Sequence, residues 1–242
     1  VKDKKPLYIP YGGGVYGFWA NMNKVKENEL PKSIAELWDV RWKNKISLNR
    51  TQVWYNIGIT MMALGKAPFH INNLVLKNQR NKAVSFLEDQ QEVQEKLIDL
   101  YAQAGNFWNS GTEFHPNLEI VSSWGPEMEK RNAETKDNWK LIKFKEGNIV
   151  WLDTINFMKG VKGKKLEAAE VFANYFIGKK SQTRVVEELS MISVSNHVSR
   201  NPYVDQDPAI FNSKMFVPPY SRLANNIMQI LSNNAFKSLK KH

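Results

Sequence analysis

Residues 7–19 read LYIPYGGGVYGFW, a run in which aromatics and isoleucine surround three consecutive glycines and no polar helix face appears. The pattern predicts an extended segment, broken by a loop at Gly12, Gly13 and Gly14 where another part of the chain approaches closely. Far downstream, NIVWLDTINF at 148–157 reads as a second strand. Between the two, helical and extended patterns alternate. PKSIAELWD opens at Pro31, a residue suited to a first helical turn. Lys45, Ile46, Ser47 and Leu48 form a short strand pattern. Asn49 or Thr51 can then cap a helix that runs through Trp54, Ile57 and Met61 and stops at Gly65. The longest helical pattern covers 81–104, with Val93, Leu97, Leu100, Tyr101 and Ala104 on one face. Strands are expected over 118–123 and 139–144, separated by a short charged helix over 127–134, and Gly147 suits a turn before 148–157.

After Lys165 the pattern turns helical. Leu166, Ala169, Phe172 and Phe176 recur at helical spacing and Gly178 closes the segment. Ser181 can cap a second helix carrying Val185, Val186 and Leu189. A loop rich in Pro, Asn and Asp spans 196–219, and Leu223, Ile227 and Ile230 mark a last amphipathic helix. Short strands separated by helices predict a mixed α/β fold, with no internal repeat and no low-complexity tract.

Composition narrows the possible functions. The 242 residues are 42% apolar and 24% charged, ordinary proportions for a globular chain of one large or two modest domains. The net charge of +10 could serve an acidic partner, but the lysines are dispersed. Their clusters at 2–5, 162–165 and 237–241 are short and not interleaved with aromatics, which argues against nucleic acid as a partner. Having no cysteine excludes disulfides, thiolate metal sites and cysteine nucleophiles. No run approaches 18 apolar residues, and the charged stretch from Val1 is not a signal peptide, as expected of a mature or truncated form. The four histidines share no metal-ligand spacing, although His115 lies beside Glu113 in EFHPN. There is no G-x-S-x-G, P-loop or S-x-x-K, and glycines 12–14 do not form a dinucleotide fingerprint. No enzyme, metal or cofactor is therefore expected.

Aromatics at strand ends point instead to ligand binding. Trp124 closes EIVSSW immediately before Gly125 and Pro126. Trp151 and Asp153 lie two apart on one strand and so share a face. An indole beside a carboxylate suits an organic cation, which the ring attracts through its quadrupole and the carboxylate through charge-assisted hydrogen bonds. The alternative is that Trp151 belongs to the core and Asp153 caps the adjoining turn.

The order of these motifs resembles the polyamine-binding (spermidine/putrescine) branch of the type 2 periplasmic solute-binding proteins. The matching stretches are YIPYGGGVYGFWANMNKV at 8–25, SIAELWDVRWKNKISL at 33–48, the helix ending in Ala63, Leu64 and Gly65, EIVSSWGPEMEK at 119–130, KEGNIVWLDTINFMKGVKGKKLEAAEVFANYFI at 145–177, and SMISVSN at 190–196. The resemblance spans nearly the whole chain. It implies a type II periplasmic-binding-protein fold, an α/β architecture of two lobes joined by crossing strands, with the first lobe incomplete because family members carry further residues before the IPYGGG-like segment. Residues 1–12 would be a crossing strand from the first lobe, 13–147 the second lobe, and 148–242 the returning strand and C-terminal helices of the first lobe. The incomplete lobe would expose apolar surface through which the chain can self-associate.

The resemblance also implies an extracytoplasmic, periplasmic receptor that closes around a small ligand and delivers it to an ABC permease. The family's cleft tryptophan matches Trp124, and its W-x-D pair matches Trp151 and Asp153. Carboxylates at the start of the helix after KISL, which polyamine binders use to hold amino groups, are replaced by Asn49, Arg50, Thr51 and Gln52. A monocationic or zwitterionic amine is therefore expected, with Asp153 for the amine and Arg50 for an acid group. Tyr11, Tyr16, Gln52 and Tyr55 are further candidates for the cleft wall. Two rival readings remain: an α/β hydrolase or transferase using His115 and carboxylates, and a basic adaptor for anionic polymers.

Overall fold

A computed structural model of the chain describes residues 8–198 and 212–240. Outside them lie the lysine cluster at 2–5, most of the first crossing-strand expectation, much of the 196–219 loop, and Lys241 and His242. The strand expected to break at its glycines is continuous: β1 runs Ile9–Asn21 without interruption. Its first half pairs antiparallel with β6 (Ile149–Ile155), from Ile9 opposite Ile155 to Tyr16 opposite Ile149. Its second half pairs on one side with β4 (Ile120–Ser123) and on the other with β5 (Trp139–Leu141). Beyond β4 the sheet continues in parallel to β2 (Ile46–Asn49) and β3 (Ala104–Trp108), giving the order β3-β2-β4-β1-β5. The strands flanking Gly147 thus pair with successive halves of β1, and β1 and β6 together lead away from the larger sheet.

The helices are α1 (Val53–Ala63), α2 (His70–Leu76), α3 (Arg80–Val84), α4 (Gln91–Gln103), α5 (Pro126–Glu134), α6 (Lys164–Phe176), α7 (Lys179–Glu187) and α8 (Arg222–Leu239). The single helix expected over 81–104 is interrupted by a 3-10 turn at Ser85–Leu87, and its expected last residue, Ala104, begins β3. The cap expected at Ser181 is Gly178, because α7 already starts at Lys179.

Alternation along β1 builds two cores. Phe18 and Ala20 face the large cluster with Ile46, Leu48, Leu97 and Leu231, while Trp19 faces a smaller one with Leu118, Val121, Met128 and Trp139. The last helix joins the large core. Ile227, Met228, Leu231 and Ala235 are buried along one stripe, and α8 packs on α4 and α1 within 13–147 rather than beside α6 and α7. A buried hydrogen-bond chain fastens it there: Tyr101 Oη meets Ser232 Oγ at 2.7 Å, and Asn56 Nδ2 donates to Tyr101 Oη at 3.3 Å and to the Asn49 carbonyl at 2.7 Å. The last helix of the 148–242 stretch thus packs on elements of 13–147. An apolar stripe requires a partner but does not name it.

The spacing of Phe172 and Phe176 correctly marks α6 as a helix, but much of its apolar face is open. Val171, Phe172 and Tyr175 are 69%, 56% and 62% exposed. At the far edge of the sheet, Gly105 is the extra residue where the β2–β3 register shifts between Ile46 and Ser47. A methyl group there would collide with the Asn44 carbonyl, which is backbone and cannot turn aside. Gly105→Ala is expected to lower the unfolding free energy by about 1–3 kcal/mol, read as a shift in the urea midpoint. An unchanged midpoint would show that this edge yields freely.

Candidate ligand-binding site

The β1–β6 pair, the end of β4 and the start of α1 bring most of the expected side chains together. Between Pro10 and Gly12 the register of β1 against β6 shifts, leaving Tyr11 as the unpaired residue of a bulge opposite Asp153 and Thr154. Bulges re-aim side chains, and here the Tyr11 hydroxyl donates to Asp153 Oδ2 at 3.2 Å. Burial, then the Asp153 charge, raises the Tyr11 phenol above its ordinary pKa. Asp153 itself is exposed.

Trp151 lies opposite Gly14, and its indole covers the space that a β-carbon at Gly14 would need. Its Nε1 donates to the Trp124 carbonyl at 3.0 Å. Trp124 Nε1 in turn donates to Gln52 Oε1 at 2.8 Å, and the ring stands edge-on to Trp108 at 4.8 Å. Gln52 is placed by an Asx turn, since Asn49 Oδ1 accepts from the backbone N–H groups of Thr51 and Gln52. A chain of side-chain and backbone contacts therefore runs from β6 through β4 to the first turn of α1.

Tyr55, on that first turn, is pushed well above the usual phenol range by burial, with the Asp153 charge adding to the effect. Tyr16 stacks behind it with ring centroids 3.7 Å apart. At 1% exposure, Tyr16 belongs to the core rather than to a cleft wall. Arg50 is also separate from the group. Its guanidinium lies 4.8 Å above the Phe236 ring, on the side of the chain where α8 packs. The Trp and Asp of the W-x-D pair thus meet Trp124, Gln52, Tyr55 and Tyr11, whereas Tyr16 and Arg50 do not contribute to the same surface.

Three further residues escaped sequence reasoning. Trp54 lies 6.0 Å from both Tyr55 and Tyr220, extending the aromatic wall. Tyr220 immediately precedes Ser221, the N-cap of α8, and its phenol is raised by burial and by neighbouring Tyr55. Gln182 is fully buried beneath the crossing strand and donates to the Tyr11 carbonyl at 2.7 Å. Trp54 could have been found from its place next to Tyr55. Nothing local marks Tyr220, whose ring partners Trp54 and Phe69 lie more than 150 residues away, or the bond from Gln182 to Tyr11, 171 residues away.

Residues 1–214 match the family model described as bacterial extracellular solute-binding protein. The chain belongs to this family. Solved structures agree on the fold. A spermidine/putrescine ABC transporter substrate-binding protein, PotD, from Streptococcus pneumoniae, in complex with calcium and HEPES, aligns with a TM-score of 0.64 at 14% identity, over 96% of this chain and 69% of that one. An ABC transporter substrate-binding protein from Bradyrhizobium japonicum gives 0.69 at 14%, over 95% and 70%. Iron-bound HitA from Pseudomonas aeruginosa gives 0.60 at 13%, over 94% and 69%. A search of curated proteins gives no match. This solute-binding protein therefore has the mixed α/β fold of type II periplasmic binding proteins, and its family binds solutes rather than transforming them. No helix among the described residues is long and apolar enough to cross a membrane.

Proposed function

We propose that this protein captures a small monocationic amine between Asp153 and the aromatic wall of Trp54, Trp124 and Trp151, backed by the buried Tyr55, and presents it to an ABC permease on the periplasmic face of a membrane. One observation carries this reading: a single carboxylate, Asp153, is set among phenols and indoles, and among the described residues no other carboxylate hydrogen-bonds to any of them. A carboxylate and ring faces supply the two attractions that an organic ammonium needs. A second ammonium on the same ligand would lose water without gaining a counter-charge. A zwitterion is less well served, because Arg50, expected to take the acid group, is engaged with Phe236. Closure would bend the chain at β1 and β6, the strands that lead out of the larger sheet. The open face of α6, with Val171, Phe172 and Tyr175 exposed, offers a surface for self-association.

Calorimetric titration with butylamine, putrescine and the neutral 1-butanol tests the reading. Butylamine is expected to bind at least as tightly as putrescine, and 1-butanol much more weakly. Asp153→Asn should weaken butylamine by about 10- to 100-fold, the range for losing a hydrogen bond to a charged group. Putrescine binding far more tightly than butylamine, or an Asp153→Asn protein with unchanged affinity, would sink the proposal.

A further inference from the structure

We infer that a groove between α8 and the segment joining β2 to α1 is a second site, for a small polyanion bearing carboxylate or phosphate groups. The groove has a volume of about 500 Å³, within the range of small-molecule pockets. Arg50, Lys237 and Lys240 line it together with Phe107, Asn233 and Phe236, and no acidic residue does. Among the described residues, none of these three cations has a carboxylate within ion-pairing distance; the chain's ion pairs use other basic groups.

Arg50 is held ready for such a ligand. Its backbone N–H donates to the Trp108 carbonyl at 2.8 Å, and its guanidinium lies 4.8 Å above Phe236. Phe236 is itself wedged against Tyr101 and Phe107, with centroids 4.5 and 4.9 Å away. A guanidinium stacked on a fixed ring keeps its N–H edge free, and that edge matches a carboxylate or phosphate through two parallel hydrogen bonds. Lys237 and Lys240 lie at the C-terminal end of α8. The partial negative charge of a helix end is about half a unit, which cannot neutralise three cations. The remaining positive potential, in a concave surface with an aromatic floor, favours an anion with more than one charge.

The site is independent of the amine proposal, since Arg50 makes none of the contacts around Asp153. Titration calorimetry of the full chain at low ionic strength, with citrate in one arm and inorganic phosphate in the other, tests it. Saturable one-to-one binding is expected in at least one arm, and the arm that binds identifies carboxylate or phosphate as the recognised group. Arg50→Gln should reduce affinity by about tenfold or more, as should the Lys237→Gln, Lys240→Gln double variant, and Arg50→Lys should restore only part of it. All three positions are exposed, so unchanged circular dichroism is expected to accompany the loss. Absence of saturable binding in both arms, or equal affinity in wild type and variants, overturns the inference.

Discussion

Replacing Gln182 with alanine is expected to lower the unfolding free energy by about 3 kcal/mol, as the combined loss of several buried hydrogen bonds. The side chain is wholly inaccessible to solvent and makes four of them. Its Nε2 donates to the Tyr11 carbonyl at 2.7 Å and the Phe176 carbonyl at 3.2 Å, while its Oε1 accepts from Ser193 Oγ at 2.8 Å and the Val194 N–H at 3.0 Å. These partners come from β1, the end of α6 and the segment after α7. One amide thus ties β1 to the two segments that flank α7. Alanine would leave the Tyr11 and Phe176 carbonyls and the Val194 N–H without this partner, each costing about 1 kcal/mol or more if water cannot replace the amide, while Ser193 Oγ keeps its bonds with Ser195. Gln182→Glu should be no better, because a carboxylate cannot donate to the two carbonyls. The measurement is a urea unfolding curve, and a loss below 1 kcal/mol would mean that water fills the gap. A functional consequence is expected too. The Tyr11 carbonyl positions the bulge that aims its hydroxyl at Asp153, so ligand affinity should fall along with stability.

Local pattern carried the sequence reading a long way. Alternation placed Trp151 and Asp153 on the strand that pairs with the glycine-rich segment, and the order of motifs pointed to the correct family before any pairing was known. The glycines misled only in part. They do mark a close approach, because the Trp151 indole lies across Gly14, but pairing with β6 and a bridge from Gly13 to Ile192 hold the backbone extended where a loop was expected. The sequence AGNFW was missed as β3 because alanine, glycine and asparagine are weak strand formers, and the parallel neighbour that stabilises it lies more than 50 residues earlier. The destination of α8 was illegible for a different reason. An amphipathic stripe specifies how much apolar surface must be buried, while the choice between two available surfaces depends on contacts such as Tyr101–Ser232, which no local pattern contains. Arg50 shows the same limit at the scale of one side chain. Its place after KISL, where the resemblance puts ligand-holding carboxylates, suggested a cleft role, yet the chain turns at Asn49 and sends Arg50 to Phe236 and Gln52 to Trp124.

Trp151→Ala separates the binding role of this residue from a purely structural one. The indole is half-buried, packs over Gly14 and makes one hydrogen bond, to the Trp124 carbonyl. Were it an ordinary core residue, its removal would cost about 3–5 kcal/mol of stability. Its ring is instead partly open to solvent beside Asp153, so a cost of about 2 kcal/mol or less is expected. Affinity for a monoamine should drop by about tenfold or more, since a desolvated ring–cation contact contributes about 2 kcal/mol. Trp151→Phe keeps a ring face while giving up the N–H that fixes Trp124. It should retain most of the affinity if the face is what the ligand meets, and lose it if the hydrogen bond to Trp124 is what shapes the wall. Urea unfolding and ligand titration on the same three proteins distinguish the cases. A stability loss above 3 kcal/mol in Trp151→Ala with affinity preserved in the folded fraction would return Trp151 to the core and leave Asp153 without its aromatic partner.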